Sequence, residues 1–196
     1  INTNAATYIK KLYSTAKKST VTNNSITYNT APSQLLMNDR KGSSSTGIDA
    51  GNIRYYGASP DNYVYFNCSD YSNPTASTCE LWRIIGVFDG KVKIMRSENI
   101  GAYSWDTTAS ITNGGYTYMI NNFNRPASLY WNRTSGSCYN ARNLGATSCS
   151  FTSTGLKNDT TKNMISETAY NLGAGTTSEG IYANQLYTNE RGTTVY

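Results

Sequence analysis

Glu80-Leu81-Trp82-Arg83-Ile84-Ile85-Gly86-Val87-Phe88-Asp89-Gly90-Lys91-Val92-Lys93-Ile94-Met95-Arg96 is the stretch whose reading decides the fold. Two runs rich in β-branched and aromatic residues flank Asp89-Gly90. That dipeptide is a strong hairpin signal, because a two-residue type I′ turn needs positive φ at both of its positions. In the first run Trp82, Ile84 and Phe88 share one face and Leu81, Ile85 and Val87 the other, so this strand is expected to be covered on both sides. Outward from the hairpin, Ile53 to Ala58 and Tyr63 to Cys68 read as further strands, and the second run extends from Lys91 to Ser97.

Before the sheet, Ala5, Ile9, Leu12, Tyr13 and Ala16 recur at helical spacing with lysines opposite and in the last turn, which predicts an amphipathic helix. Residues 19–52 read as a polar connecting loop, with Pro32 opening a short helical turn that carries Leu35, Leu36 and Met37. After the sheet, residues 99–156 read as loop-rich, with a short helix over Tyr118 to Phe123. A second helix is predicted over 160–172 with Met164, Ile165, Thr168, Ala169 and Leu172 on one stripe, and a third over Ser178 to Asn189. The expected class is therefore α+β: an N-terminal amphipathic helix packed on an antiparallel β-sheet, then a loop-rich, disulfide-bearing C-terminal region with short helices. One exported domain is expected over 1–196, made of the helix (1–18), the connecting loop (19–52), the sheet core (53–97) and the loop-rich region (98–196).

Composition supports a folded, weakly charged, hydrogen-bonding chain. Its 196 residues hold 23 Asn, 22 Ser and 26 Thr against 17 basic and 12 acidic residues, and 17 Tyr supply material for burial. Disordered chains are poor in aromatics. The net charge of +5 is scattered, with pairs at most (Lys10-Lys11, Lys17-Lys18, Arg40-Lys41). Nucleic-acid binders cluster such residues on one face, so no nucleic-acid partner is expected. The longest apolar run, Leu81 to Phe88, is less than half of the roughly 20 residues a membrane span needs. The chain starts at Ile1 and ends in the β-prone run Thr193-Thr194-Val195-Tyr196. Removal of an upstream segment and a cut at the C-terminus are both expected, and a membrane link only through the missing N-terminal segment.

Four cysteines allow three pairings. Cys68 and Cys79 stand eleven apart, as do Cys138 and Cys149, and each pair encloses turn-forming residues. Two local disulfides are the simplest reading, whereas zinc would want closer cysteine pairs or histidines, of which there are none. Stable disulfides imply an oxidising compartment and hence an extracellular location. Sequons stand at Asn23, Asn67, Asn132 and Asn158.

With no histidine and all cysteines paired, the usual nucleophilic machinery is missing. Ser14-Thr15-Ala16-Lys17 mimics the Ser-x-x-Lys motif of penicillin-recognising enzymes, but it sits inside an amphipathic helix and lacks correctly ordered partner motifs. No catalytic residue, metal or cofactor is therefore expected. The one surviving enzymatic alternative is a carboxylate pair, Glu98 with Asp106, beside aromatic platforms, as in a glycoside hydrolase. Tyr130-Trp131-Asn132 has the Trp-Asn start of a C-type lectin motif, but Arg133 replaces the required acid. What remains is a surface rich in tyrosine and amides, chemistry suited to adaptable contacts. The candidate ligand-binding residues are Trp105, Asp106, Tyr130 and Trp131.

Asn62-Tyr63-Val64-Tyr65-Phe66-Asn67, the hairpin Leu81 to Arg96, Ile100-Gly101 and Ser104-Trp105-Asp106 together resemble surface and secreted proteins of Gram-positive gut bacteria, some of them type IV pilin-like. The order of helix, long loop, antiparallel sheet and disulfide-bearing region is similar to a pilin without its membrane-embedded half-helix. The resemblance implies an extracellular, non-enzymatic subunit or adhesin. Its partners would be copies of itself in a fibre, or a host or bacterial surface glycan or protein. The alternative is a secreted glycan- or cell-wall-binding module or hydrolase.

Overall fold

The computed structural model describes residues 4–23, 26–38, 52–101, 125–138 and 147–168. It is α+β, with two compact units: one of Ile1–Val64, Trp82–Met95 and Glu167–Tyr196, the other of Tyr65–Leu81 and Arg96–Ser166. The sheet expected as one core over 53–97 is thus divided between them.

In the first unit α1 (Ala5–Thr15) is bounded by side chains. The Asn4 carboxamide accepts from the Thr7 N–H at 2.9 Å, and the Lys18 ammonium donates to the carbonyls of Tyr13, Ser14 and Ala16 beyond the last turn. Both devices satisfy backbone groups that a helix end leaves without partners. The apolar stripe then buries Ile9 against Ala31, Leu36, Ile53 and Val87, with Ala6, Leu12, Tyr13 and Ala16 packed around it. Burying such an isoleucine contributes about 1.5–3 kcal/mol.

The strands are β1 (Ser19–Asn23), β2 (Ile26–Ala31), β3 (Leu36–Asn38), β4 (Ile53–Tyr55), β5 (Tyr63–Phe66), β6 (Glu80–Phe88) and β7 (Lys91–Arg96). Their order is β1-β2-β3-β4-β6-β5, with β7 also on β6. The segment 19–38, read from sequence as part of a connecting loop, is therefore a meander of three antiparallel strands. Threonine explains it: Val21, Thr22, Ile26 and Thr27 are β-branched and suit a pleated surface, even though most of that surface is polar. Pro32 does open a short turn, Pro32–Gln34, and Leu36 and Met37 are buried in β3.

Asp89 and Gly90 take φ of 49° and 74°, the paired positive values of the expected turn. Two buried asparagines complete this sheet. Asn52 accepts the Asp89 N–H at 2.9 Å. Asn62 donates to the Ile84 carbonyl at 2.7 Å and accepts from Arg83 Nε at 3.2 Å. The expectation that β6 is covered on both faces holds in part, since residues 82–85 are half-buried but Leu81 is 42 % exposed.

The second unit contains α2 (Arg125–Asn132), the hairpin β8 (Ser135–Cys138) and β9 (Thr147–Ser150), and α3 (Asp159–Asn163). Three of these lie where sequence suggested loops. Pro126 suits the first turn of α2, and Leu129 anchors the helix against Cys138, Cys149 and Phe151. The helix expected over 160–172 stops at Asn163. Met164 and Ile165 are 52 % and 42 % exposed, so the anticipated stripe is not a buried face there. The helices anticipated over 118–123 and 178–189 fall outside the described residues.

The cysteines pair as Cys68–Cys79 and Cys138–Cys149, each across 11 residues, and none is left free. Each closure of a loop this short stabilises by about 3 kcal/mol through the denatured state. Thiol titration in denaturant should therefore read zero for untreated protein and four after reduction; equal counts would refute both bridges. No helix among the described residues is long and apolar enough to cross a membrane.

Candidate functional site

Among the described residues, a dense hydrogen-bond network lies in the second unit around Asn67. It follows β5 in the left-handed region, with φ of 52°, and its side chain is fully buried. Asparagine tolerates that conformation better than most residues. Asn67 Oδ1 accepts the Lys157 N–H at 2.7 Å, and Nδ2 donates to the Gly155 carbonyl at 3.1 Å and to the Tyr130 hydroxyl at 3.2 Å. The loop closed by Cys68–Cys79 is thereby fastened to residues 155–161. Further ties run from Asn158 Nδ2 to the Cys68 carbonyl at 2.8 Å and between Tyr71 and Thr161 hydroxyls at 2.8 Å. Lys157 Nζ donates to the Thr78 carbonyl, also at 2.8 Å.

Tyr130 carries the network on. Its hydroxyl donates to Glu80 Oε2 at 2.9 Å, and the same oxygen accepts Arg96 Nε at 3.1 Å. Its ring meets Phe151 edge-on at 5.8 Å between centroids. Burial first, then the Glu80 charge and hydrogen bond, push the phenol above its ordinary value of 10.0, against smaller opposite effects of Arg96 and Asn67. This is the wrong direction for a tyrosine base or nucleophile, which needs a lowered value. The carboxylate is equally committed, held between a guanidinium and a phenol. Tyr130 therefore acts as an internal strut.

Folding favours the protonated phenol, whereas the unfolded chain loses that proton near pH 10. This contribution is fully present below about pH 10 and is lost as pH rises through the folded value. Denaturation curves should run parallel for the wild type and Tyr130→Phe up to about pH 9.5 and fall more steeply for the wild type from about pH 10 to 12, and curves that stay parallel there would sink the assignment.

Trp131, the next residue, faces the other way. It is 39 % exposed, and the Lys162 ammonium lies 5.4 Å from its ring centre. Tyr130 and Trp131 are thus neighbours in sequence that do not form one site. Trp105 and Asp106 fall outside the described residues, and with them the proposed pairing of Asp106 with Glu98. Of the sequons, Asn67 is sealed inside, Asn158 caps α3 by accepting from the Thr161 N–H at 2.9 Å, and Asn132 is exposed at the end of α2.

The first unit offers an outward sheet face. Ile84 and Val92 pack towards the core, so alternation turns Arg83, Lys91 and Lys93 away from it. The Arg83 guanidinium lies 5.2 Å from the ring centre of Tyr63, which is 51 % exposed. Lys93 reaches over Phe88 at 6.0 Å, and Met95 is 56 % exposed. Sequence reasoning placed Tyr63 at the start of a strand and Arg83 in the hairpin but gave neither a role at the surface. The signal available was the alternating Lys91-Val92-Lys93-Ile94-Met95 pattern.

Comparison with protein-family models, curated proteins and solved structures found no match for this chain.

Proposed function

We propose that this chain is a non-enzymatic domain of an extracellular surface protein, a fibre-forming subunit or adhesin. It would hold a surface glycan or protein through exposed aromatic and basic side chains. The observation that carries this reading is the outward face of the first unit, where Tyr63 lies under Arg83 and where Lys91, Lys93 and Met95 are exposed. An aromatic ring beneath a cation presents an apolar body and a charged rim, the combination that anchors many interfaces. Because Arg83, Lys91 and Lys93 are basic, an anionic glycan suits it best.

The second unit supports the same reading by its inertness, since the polar groups of Glu80, Arg96, Tyr130 and Asn67 are engaged by one another and by nearby backbone. The two disulfides are in keeping with an oxidising, extracellular setting.

A glycan array that includes sulfated and uronic-acid polymers, run beside a pull-down of bacterial filaments, tests it. Binding should weaken at least about tenfold in Tyr63→Ala and Arg83→Ala and fall with added salt, as screened contacts do. Absence of binding to glycans and filaments alike overturns the reading. Release of reducing ends from a cell-wall glycan would instead favour a hydrolase.

A further inference from the structure

We propose that β1 is an interface between copies of this chain: Ser19–Asn23 pairs antiparallel with β1 of a second copy about a two-fold axis through Val21. Among the described residues β1 stands at the end of the strand order and pairs only with β2. Ser19, Thr20, Val21 and Thr22 are exposed, Val21 at 47 %. A strand edge presents unpaired N–H and C=O groups, and proteins that stay monomeric protect such edges with charges, proline or bulges. β7, likewise paired on one side, carries Lys91, Lys93 and Arg96. β1 has no charge, no proline and no glycine.

The occupant follows from the register on the paired side. Val21 stands opposite Tyr28, which is 5 % exposed, and Thr22 opposite Thr27, their hydroxyls 3.0 Å apart. An antiparallel copy centred on Val21 sets Val21 against Val21 and Thr20 against Thr22. The apolar row Tyr28–Val21 then continues as Val21–Tyr28 of the second copy, and the hydroxyl row continues on the other face. Such cross-strand pairs are stabilising. The nearest charge, Lys18, would lie six positions from its counterpart, about 20 Å along the strand, and its ammonium is already turned back on α1.

A two-fold contact of this kind closes a dimer. It needs no ligand, so it stands or falls apart from the adhesive reading. One five-residue strand per copy makes a small interface, so the dimer is weak, with a Kd of about 0.1–1 mM.

Sedimentation equilibrium of the oxidised chain from about 10 µM to 1 mM tests the proposal. Wild type should pass from monomer towards dimer. Val21→Lys and Val21→Glu should each raise Kd at least about tenfold, and mixing the two variants should restore association, because only a two-fold pairing places residue 21 against itself. Thr20→Lys, on the opposite face, should weaken it comparably and guards against misfolding of the first variants; circular dichroism checks all three. A wild type that stays monomeric at the highest concentration overturns the proposal. So does association that survives Val21→Lys, or mixing that restores nothing.

Discussion

Asn67→Ala should destabilise the unit of residues 65–81 and 96–166 by about 4 kcal/mol, the largest single-residue effect expected in this protein. The substitution removes three hydrogen bonds at a position with no exposure and strands the Lys157 N–H and the Gly155 carbonyl. A buried group left without its partner costs about 1–3 kcal/mol, and an alanine held at φ of 52° adds about 1–2 kcal/mol. Asn67→Gly separates the two terms: it loses the same hydrogen bonds but relaxes the backbone, so it should retain about 1 kcal/mol more than alanine. Urea denaturation gives the totals, and hydrogen exchange at the Lys157 amide gives the local change. A loss under about 1 kcal/mol, or an unchanged Lys157 amide, would show that the hub carries little.

Gly86→Ala should cost about 3 kcal/mol in the other unit, for a steric reason. Gly86 faces Arg54 across the β4–β6 pairing, beside Ile53 with Val87. A Cβ there would stand 2.8 Å from the Arg54 Cα and nearer still to the Ile53 carbonyl. These are backbone atoms of a strand and cannot swing aside. The strand must move, and it takes with it Ile53 and Val87, which are 4 % and 0 % exposed. Gly90→Ala is the contrasting case: nothing lies within 4 Å of its Cβ, but its φ is +74°, so only a conformational cost of about 1–2 kcal/mol is expected. Thermal unfolding of both variants distinguishes crowding from backbone preference, and equal losses would argue against crowding at Gly86.

What sequence could show depended on the range of the interaction. The Asp89-Gly90 turn, the Asn4-to-Thr15 helix and both eleven-residue cysteine loops are local, and each was legible from residues a few positions apart. β1 and β2 were not, because Thr-rich strands with a solvated surface show little of the apolar alternation that marks a half-buried strand. α2 escaped because it has eight residues and only Leu129 among its described side chains is buried. The stripe at Met164 and Ile165 misled because periodicity records what could be buried, whereas these two side chains stand 52 % and 42 % exposed. Of the candidate ligand residues, Trp131 is on the surface as required, while Tyr130 is absorbed by partners at Asn67 and Glu80 that no local pattern reveals.

The Asn67 hub also sets a clock. Its acceptor at Gly155 and its donor at Lys157 lie 88 and 90 residues further along, while Cys79 lies only 11 residues from Cys68. A chain appearing N-terminus first at about 5–20 residues per second exposes Lys157 about 4–16 s after Cys79. Throughout that interval the first loop can close but has nothing to dock on, and the Asn67 carboxamide, within its Asn-Cys-Ser sequon, faces solvent. Once Lys157 arrives, docking seals it. Any enzyme that modifies Asn67 must therefore act before the second unit has docked, and occupancy at that residue would report how quickly that unit assembles.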